Sequence, residues 1–202
     1  MRLLLWMFLF LITSAPLALA VDAPSAQIHI NTDQILRGQF TEEHQINGGN
    51  GPMVSSGHFV VAPTHGLIWG IEQPFPTSTI ITPQGAMQNF GGISMKLPTK
   101  NLRHLYDIVG GALMGDWTGL EKDFVIIREG DHQKWSMILT PRHLDNPKLA
   151  YTKIIVTGHR FVENIILTKR DGNTDTLGFT EVALSSPPLQ AREMAAFEKV
   201  QP

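Results

Sequence analysis

Phe40-Thr41-Glu42-Glu43-His44-Gln45-Ile46, Asn47-Gly48-Gly49-Asn50-Gly51-Pro52, Ser56-Gly57-His58-Phe59-Val60-Val61, Pro63-Thr64-His65-Gly66 and Leu67-Ile68-Trp69-Gly70-Ile71 decide the fold of this chain. The stretch reads as three strands of one sheet joined by two turns. Gly and Asn supply the positive-φ positions that tight turns need, and the β-branched and aromatic residues between them suit a half-buried pleated surface. Gly48-Gly49-Asn50-Gly51 is a hairpin turn and not a phosphate loop, because no Lys-Ser or Lys-Thr follows it.

The same pattern continues outward. Ser78–Thr82 reads as a fourth strand closed by Pro83-Gln84-Gly85, and Ala86-Met87-Gln88 starts a fifth. Leu102, Leu105, Tyr106, Val109, Ala112, Leu113 and Trp117 then recur at three- and four-residue spacing behind Thr99 and Asn101, two N-cap residue types, which predicts an amphipathic helix. Gly110-Gly111 in its middle costs roughly 1 kcal/mol per glycine relative to alanine. The pair predicts a bent, thinly held or mobile helix, or equally a close packing contact. From Lys122 the period changes to two, with strands near Asp123–Arg128, Lys134–Thr140, Thr152–Thr157, Phe161–Lys169 and Thr174–Ala183. Ala26–Arg37 reads as a short N-terminal helix. Pro187-Pro188 opens a C-terminal one with Leu189, Met194, Phe197 and Val200 on its apolar side. Roughly ten strands and one good helix predict a mainly β fold, a strongly curved antiparallel sheet with covering helices.

At the N-terminus, Arg2, the apolar run Leu3–Ile12 and the small-x-small pattern Ala18-Leu19-Ala20 read as a secretory signal peptide over Met1–Ala20. Thr13-Ser14-Ala15-Pro16 breaks the run before it reaches the roughly 20 apolar residues of a membrane span. The remaining 182 residues (202 less 20), 21–202, are the length of a single domain. With Arg2 removed, 15 basic side chains face 18 acidic ones, and no basic cluster exceeds the pair Lys169-Arg170. Nucleic acid is excluded as a partner, since phosphate binding needs a concentrated basic face. The chain has no Cys, hence no disulfide, no thiolate nucleophile and no site for lipid modification of its own.

Phe40-Thr41-polar, Ser56-Gly57-x-Phe59, Gly66-Leu67-x-Trp69 and Gln73-Pro74-Phe75 occur in that order. They are followed by Asp116-Trp117 at the helix end, a strand at Phe124, Leu139-Thr140-Pro141 and Arg170-Asp171-Gly172-Asn173-Thr174. This order resembles LolA-type outer-membrane lipoprotein carriers over nearly the whole mature chain. The resemblance implies an unclosed antiparallel β-barrel under a helical lid, enclosing an apolar cavity for acyl chains. Carried over by position, Phe40, Phe59, Val61, Leu67, Trp69, Ile71 and Ile80, with Leu102, Leu105, Val109 and Leu113 from the helix, line or cover that cavity. It further implies a monomeric periplasmic carrier of lipoproteins or related acyl lipids, with an inner-membrane exporter as donor, an outer-membrane acceptor, no cofactor and no catalysis. Two positions depart from the family's pattern. Glu42 stands where it usually has Gln, and Ala62 precedes Pro63 where it usually has a basic residue that latches the lid.

The residues alone favour an ordinary core over a cavity, and only the resemblance points the other way, because a packed interior and an empty cavity share one alternation pattern. Met87, Met95, Met114 and Met137 are adaptable surfaces for a cargo without fixed shape. His29, His44, His58, His65, His104, His132, His143 and His159 lack metal-ligand spacing. Ser55-Ser56-Gly57 lacks the Gly-x-Ser-x-Gly elbow, and Asp116, Glu121 and Asp123 read as solvated carboxylates. An exported lipid-ester hydrolase and a lipid-sensing envelope-assembly factor of the same fold are the rival readings.

Overall fold

The computed structural model describes residues 29–98, 106–131, 133–146 and 149–200. The expected signal peptide, and Leu102 and Leu105 of the expected helix, lie outside the described residues.

Eleven strands form one sheet: β1 (Ile35–Gln45), β2 (Met53–Ala62), β3 (Gly66–Gln73), β4 (Thr77–Thr82), β5 (Gly85–Phe90), β6 (Ile93–Leu97), β7 (Phe124–Gly130), β8 (Trp135–Pro141), β9 (Tyr151–Gly158), β10 (Val162–Lys169) and β11 (Thr174–Ser185). Their order is β6-β5-β4-β3-β2-β1-β11-β10-β9-β8-β7. Two meanders, β1 to β6 and β7 to β11, are thus joined by the antiparallel ladder that runs from Ile35↔Ser185 to Gln45↔Thr174. The sheet is not closed. Its free edges, β6 and β7, are consecutive in the chain, so the segment between them must cross from one edge of the sheet to the other.

Strands near both ends of the order, β5 and β7, feed one apolar cluster through Ala86 and Phe124. The sheet therefore curls around it. Leu36, Phe40, Phe59, Val61, Leu139, Ile154, Val156, Ile165 and Leu167 form the middle of this cluster. A second cluster, on the outer face, packs Ile35, Val60, Ala62, Ile68 and Ile80 beneath Leu189, Phe197 and Val200. The last three belong to or flank the C-terminal helix, Ala191–Glu198. Gln190 and Glu193 cap it reciprocally, which satisfies amide groups that the first helical turn leaves without partners. Arg37 of β1 ties it down, with Nε and Nη2 donating to the two Glu193 carboxylate oxygens at 2.8 and 2.6 Å. That contact holds the Glu193 carboxyl below its ordinary range.

Three local readings change. Ile35–Arg37 open β1 and do not end a helix, because pairing with Ser185–Ala183 on one side and, for Leu36 and Arg37, with Val61 and Val60 on the other outweighs a weak local preference. The sixth strand, Ile93–Leu97, is additional to those read from the sequence. Gly91 and Gly92, at φ 57° and 84°, form the two-residue turn that joins Phe90 to Ile93. In the expected amphipathic helix, the described part is a wide π-type turn, Tyr106–Gly110, running into one α-helical turn, Gly111–Met114 (α1). Gly115, at φ 72°, ends it, and Trp117 lies beyond. A Cβ at Gly111 would sit 2.7 Å from the Asp116 carbonyl oxygen, so this glycine serves a close approach. The C-terminal helix (α2, Ala191–Glu198) begins three residues after Pro188.

Gly57 sets the spacing of the first meander. Neighbouring strands lie about 4.8 Å apart, so residues of β1 and β3 meet only across β2. Phe40 of β1 and Trp69 of β3 nevertheless stack with ring centroids 3.7 Å apart. Between them, opposite Phe40 and Ile71, stands Gly57, whose missing side chain leaves the room. A Cβ there would come within 1.9 Å of the Gly70 carbonyl oxygen, a backbone atom. Gly57→Ala is expected to cost about 3 kcal/mol by overpacking, measured by urea denaturation followed by Trp fluorescence.

Candidate functional site

Directly paired residues of an antiparallel sheet share a face, and the registers place three rows on the concave side. Val61, Leu67, Ile81, Ala86 and Leu97 form one, and Phe59, Trp69, Thr79, Gln88 and Met95 the next. Gly57, Ile71, Thr77, Phe90 and Ile93 form the third. Large apolar side chains dominate the first row, whereas Thr79 and Gln88 bring polar groups into the second. Between these rows and the roof is a cavity of about 370 Å³. Leu67, Trp69, Ile71, Thr79, Ile81 and Gln88 form one wall, Leu167 and Leu177 another, and Tyr106 and Val109 the cover. Phe90, Ile93 and Met95 continue the concave face to the β6 edge and are about half exposed or more.

Of the residues expected at the cavity, Leu67, Trp69, Ile71 and Val109 line it. Phe40, Phe59, Val61 and Leu113 face the same interior but are packed into the core, each at most 3% exposed. Ile80 lies on the opposite face under α2, and its neighbour Ile81, paired with Leu67, takes the inward position. Leu102 and Leu105 lie outside the described residues.

Sequence reasoning missed the other end of the cavity, where Glu42, Tyr151, Lys169 and Asp175 enter the wall. The β1–β11 ladder sets Glu42 opposite Leu177 and His44 opposite Asp175. Lys169 ends β10, Tyr151 begins β9, and the two are paired. Asp175 is buried and doubly partnered: its Oδ2 accepts from Lys169 Nζ at 2.7 Å, and its Oδ1 bonds His44 Nδ1. Glu42 is less well served, accepting one long hydrogen bond from Ser55 Oγ at 3.5 Å. Burial, reinforced by the Asp175 charge, pushes the Glu42 carboxyl above its ordinary range, and His44 and Lys169 only partly offset this. Burial also raises the Tyr151 hydroxyl, with Asp175 and Glu42 adding to it. Among the described residues no group of three or more His, Asp or Glu is placed to hold a metal ion, and no helix is long and apolar enough to cross a membrane.

No protein-family model matches the chain, and no curated protein matches it. Solved structures do. A LolA superfamily protein from Nitrosomonas europaea is 10% identical, with 83% of this chain and 92% of that one covered and a TM-score of 0.45. A DUF1329 family protein from Desulfovibrio piger is 8% identical over 85% of this chain and 93% of its own, at 0.45. A chain of the MucA/MucB complex of Pseudomonas aeruginosa is 12% identical over 85% of this chain and 56% of its own, at 0.47. At these TM-scores and identities the likenesses transfer no residue's role and no function to this chain.

Glu42 can be tested through stability. Its carboxyl titrates near the ordinary value of 4.5 in the unfolded chain and higher in the folded one. Between the two values the folded chain holds more protons, so stability falls as pH rises through that window, and the penalty is fully present above it. Glu42→Gln is expected to raise the Tm near neutral pH, by about 2–4 °C for each kcal/mol regained. In thermal scans this gain disappears once the pH is brought below the unfolded value.

Proposed function

We propose that this protein is a periplasmic carrier that takes an acyl chain of a lipoprotein or related acyl lipid into the cavity and releases it toward the outer membrane. The observation that carries the reading is a largely apolar space, part of a cavity of about 370 Å³, inside a sheet whose two edges stay apart. At roughly 0.8 kcal/mol per CH₂, exposing a chain of ~16 carbons to water costs on the order of 12 kcal/mol. A shell with an empty apolar interior removes most of that barrier, provided the shell can open.

The cover supplies the opening. α1 is a single turn, far too short to be stable alone, and Ile108, Val109, Ala112 and Leu113 hold it by apolar packing. Ala62, at the position where LolA-type carriers usually have a basic latch residue, is buried in the outer cluster and turned away from the roof. Lid closure in this reading depends on greasy contacts that an incoming chain can replace one for one. The cavity lies at the lower end of the roughly 300–1,000 Å³ range of ligand sites, which favours one chain over several. An inner-membrane exporter would load the protein and an outer-membrane acceptor would unload it, with the carrier acting as a monomer.

Mass spectrometry of the purified protein is expected to find acyl lipid bound, and the exported protein is expected to begin at Val21 on N-terminal sequencing. Val109→Glu places a carboxylate in the cover. Its expected effect is at least about a tenfold loss of retained lipid, since an unpaired buried charge is costly, with the β-sheet circular dichroism preserved. Retention equal to that of the unsubstituted protein would count against the cavity as the lipid site.

A further inference from the structure

We infer that the charged end of the cavity is a subsite for a protonated amine, carried on an amphiphile whose hydrocarbon part occupies the apolar remainder of the same cavity. The inference builds on the acyl-carrier reading and names the chemistry of the cargo's polar group.

The groups that meet at this end come from five strands: Glu42 and His44 from β1, Ser55 from β2, Tyr151 from β9, Lys169 from β10 and Asp175 from β11. Lys169 and His44 both bond Asp175, so the ammonium and the imidazole are engaged with one carboxylate. Among the described residues Glu42 makes no direct ion pair, though the Lys169 and His44 charges act on it, and its Oε2 accepts one long hydrogen bond from Ser55 Oγ. A carboxylate accepts about four hydrogen bonds, and Glu42 lines the cavity with that one long bond among the described residues. Glu42 and Asp175 bring two carboxylates to this end and Lys169 one ammonium, with His44 bonded to Asp175.

An incoming group can be judged against that arrangement. An ammonium beside Glu42 forms a charge-assisted pair and cancels the repulsion between Glu42 and Asp175. A carboxylate or phosphate meets two like charges, and the one ammonium present is already bonded. A hydroxyl or ester can accept or donate a hydrogen bond but leaves the charge imbalance in place. Burial also disfavours an unpartnered carboxylate; a residue that costs stability in a ligand-sized cavity is a mark of a site.

Isothermal titration of the purified protein, stripped of lipid, with decylamine, decanol and decanoate near neutral pH separates the possibilities. Decylamine is expected to bind at least about tenfold more tightly than decanol, the equivalent of about 1.4 kcal/mol, with decanoate weakest. Glu42→Gln is expected to bring the amine-to-alcohol ratio close to one. If that variant fails to fold, the unsubstituted protein gives the same answer. Its ratio should fall toward one as pH drops through the raised range of Glu42, because the amine stays charged while the carboxylate is neutralised. Equal binding of all three, a preference for decanoate, or a preference for the amine that survives Glu42→Gln overturns the subsite and leaves the acyl-carrier reading standing. No binding of any of the three overturns both.

Discussion

The structure depends on one topological constraint. Because β1 pairs with β11, the two edges of the sheet fall to β6 and β7, which follow one another in the chain. The described part of the segment that joins them, Tyr106–Met114, covers the interior, and from it Ile108, Val109, Ala112 and Leu113 are delivered to the core. A closed barrel would need no such segment, and a flat sheet would have nothing for it to cover.

The interior below the roof is uneven, and the unevenness accounts for the cavity. In the β8 to β10 half, Leu139, Ile154, Val156, Val162 and Ile165 are at most 1% exposed and fill the space in front of them, while Leu167 is left as a wall of the cavity. In the β4 and β5 half, inward positions beside Ile81 and Phe90 fall to Thr79, Ala86 and Gln88, which are too small or too polar to do the same. The Phe40–Trp69 stack over Gly57 consumes part of the first meander's share. What is left over is apolar on most sides and bounded at one end by charge.

Much of the fold could be read directly from local pattern: Gly and Asn turns, period-two strands and aromatic positions placed most of the sheet with small errors at the ends. The helix at Ala26–Arg37 failed because three residues with mixed preferences obeyed two neighbouring strands instead. The site was legible only in part. Alternation located Leu67, Trp69 and Ile71, yet it could not say that Ile81 and not Ile80 turns inward, since both are apolar and the register decides. Glu42 was visible as an oddity. That it shares a wall with Tyr151, Lys169 and Asp175 required the pairing of strands from opposite ends of the chain, for which no local signal exists. Core and cavity also use the same residues, so Phe40, Phe59, Val61 and Leu113 could not be told from lining residues without the packing.

The β1–β11 ladder makes assembly a late event. It joins Ile35 to Ser185 across 150 residues of chain, and contacts of such separation form slowly because the loop entropy is lost before any reward arrives. Before β11 is in place, β1 to β6 can amount to no more than half a sheet with β1 as a bare edge, open to partners of the wrong kind. A chain stopped short of Thr174 stays in that condition. Full length is therefore a checkpoint: until the final strand arrives, there is neither an enclosed interior nor a charged end to it.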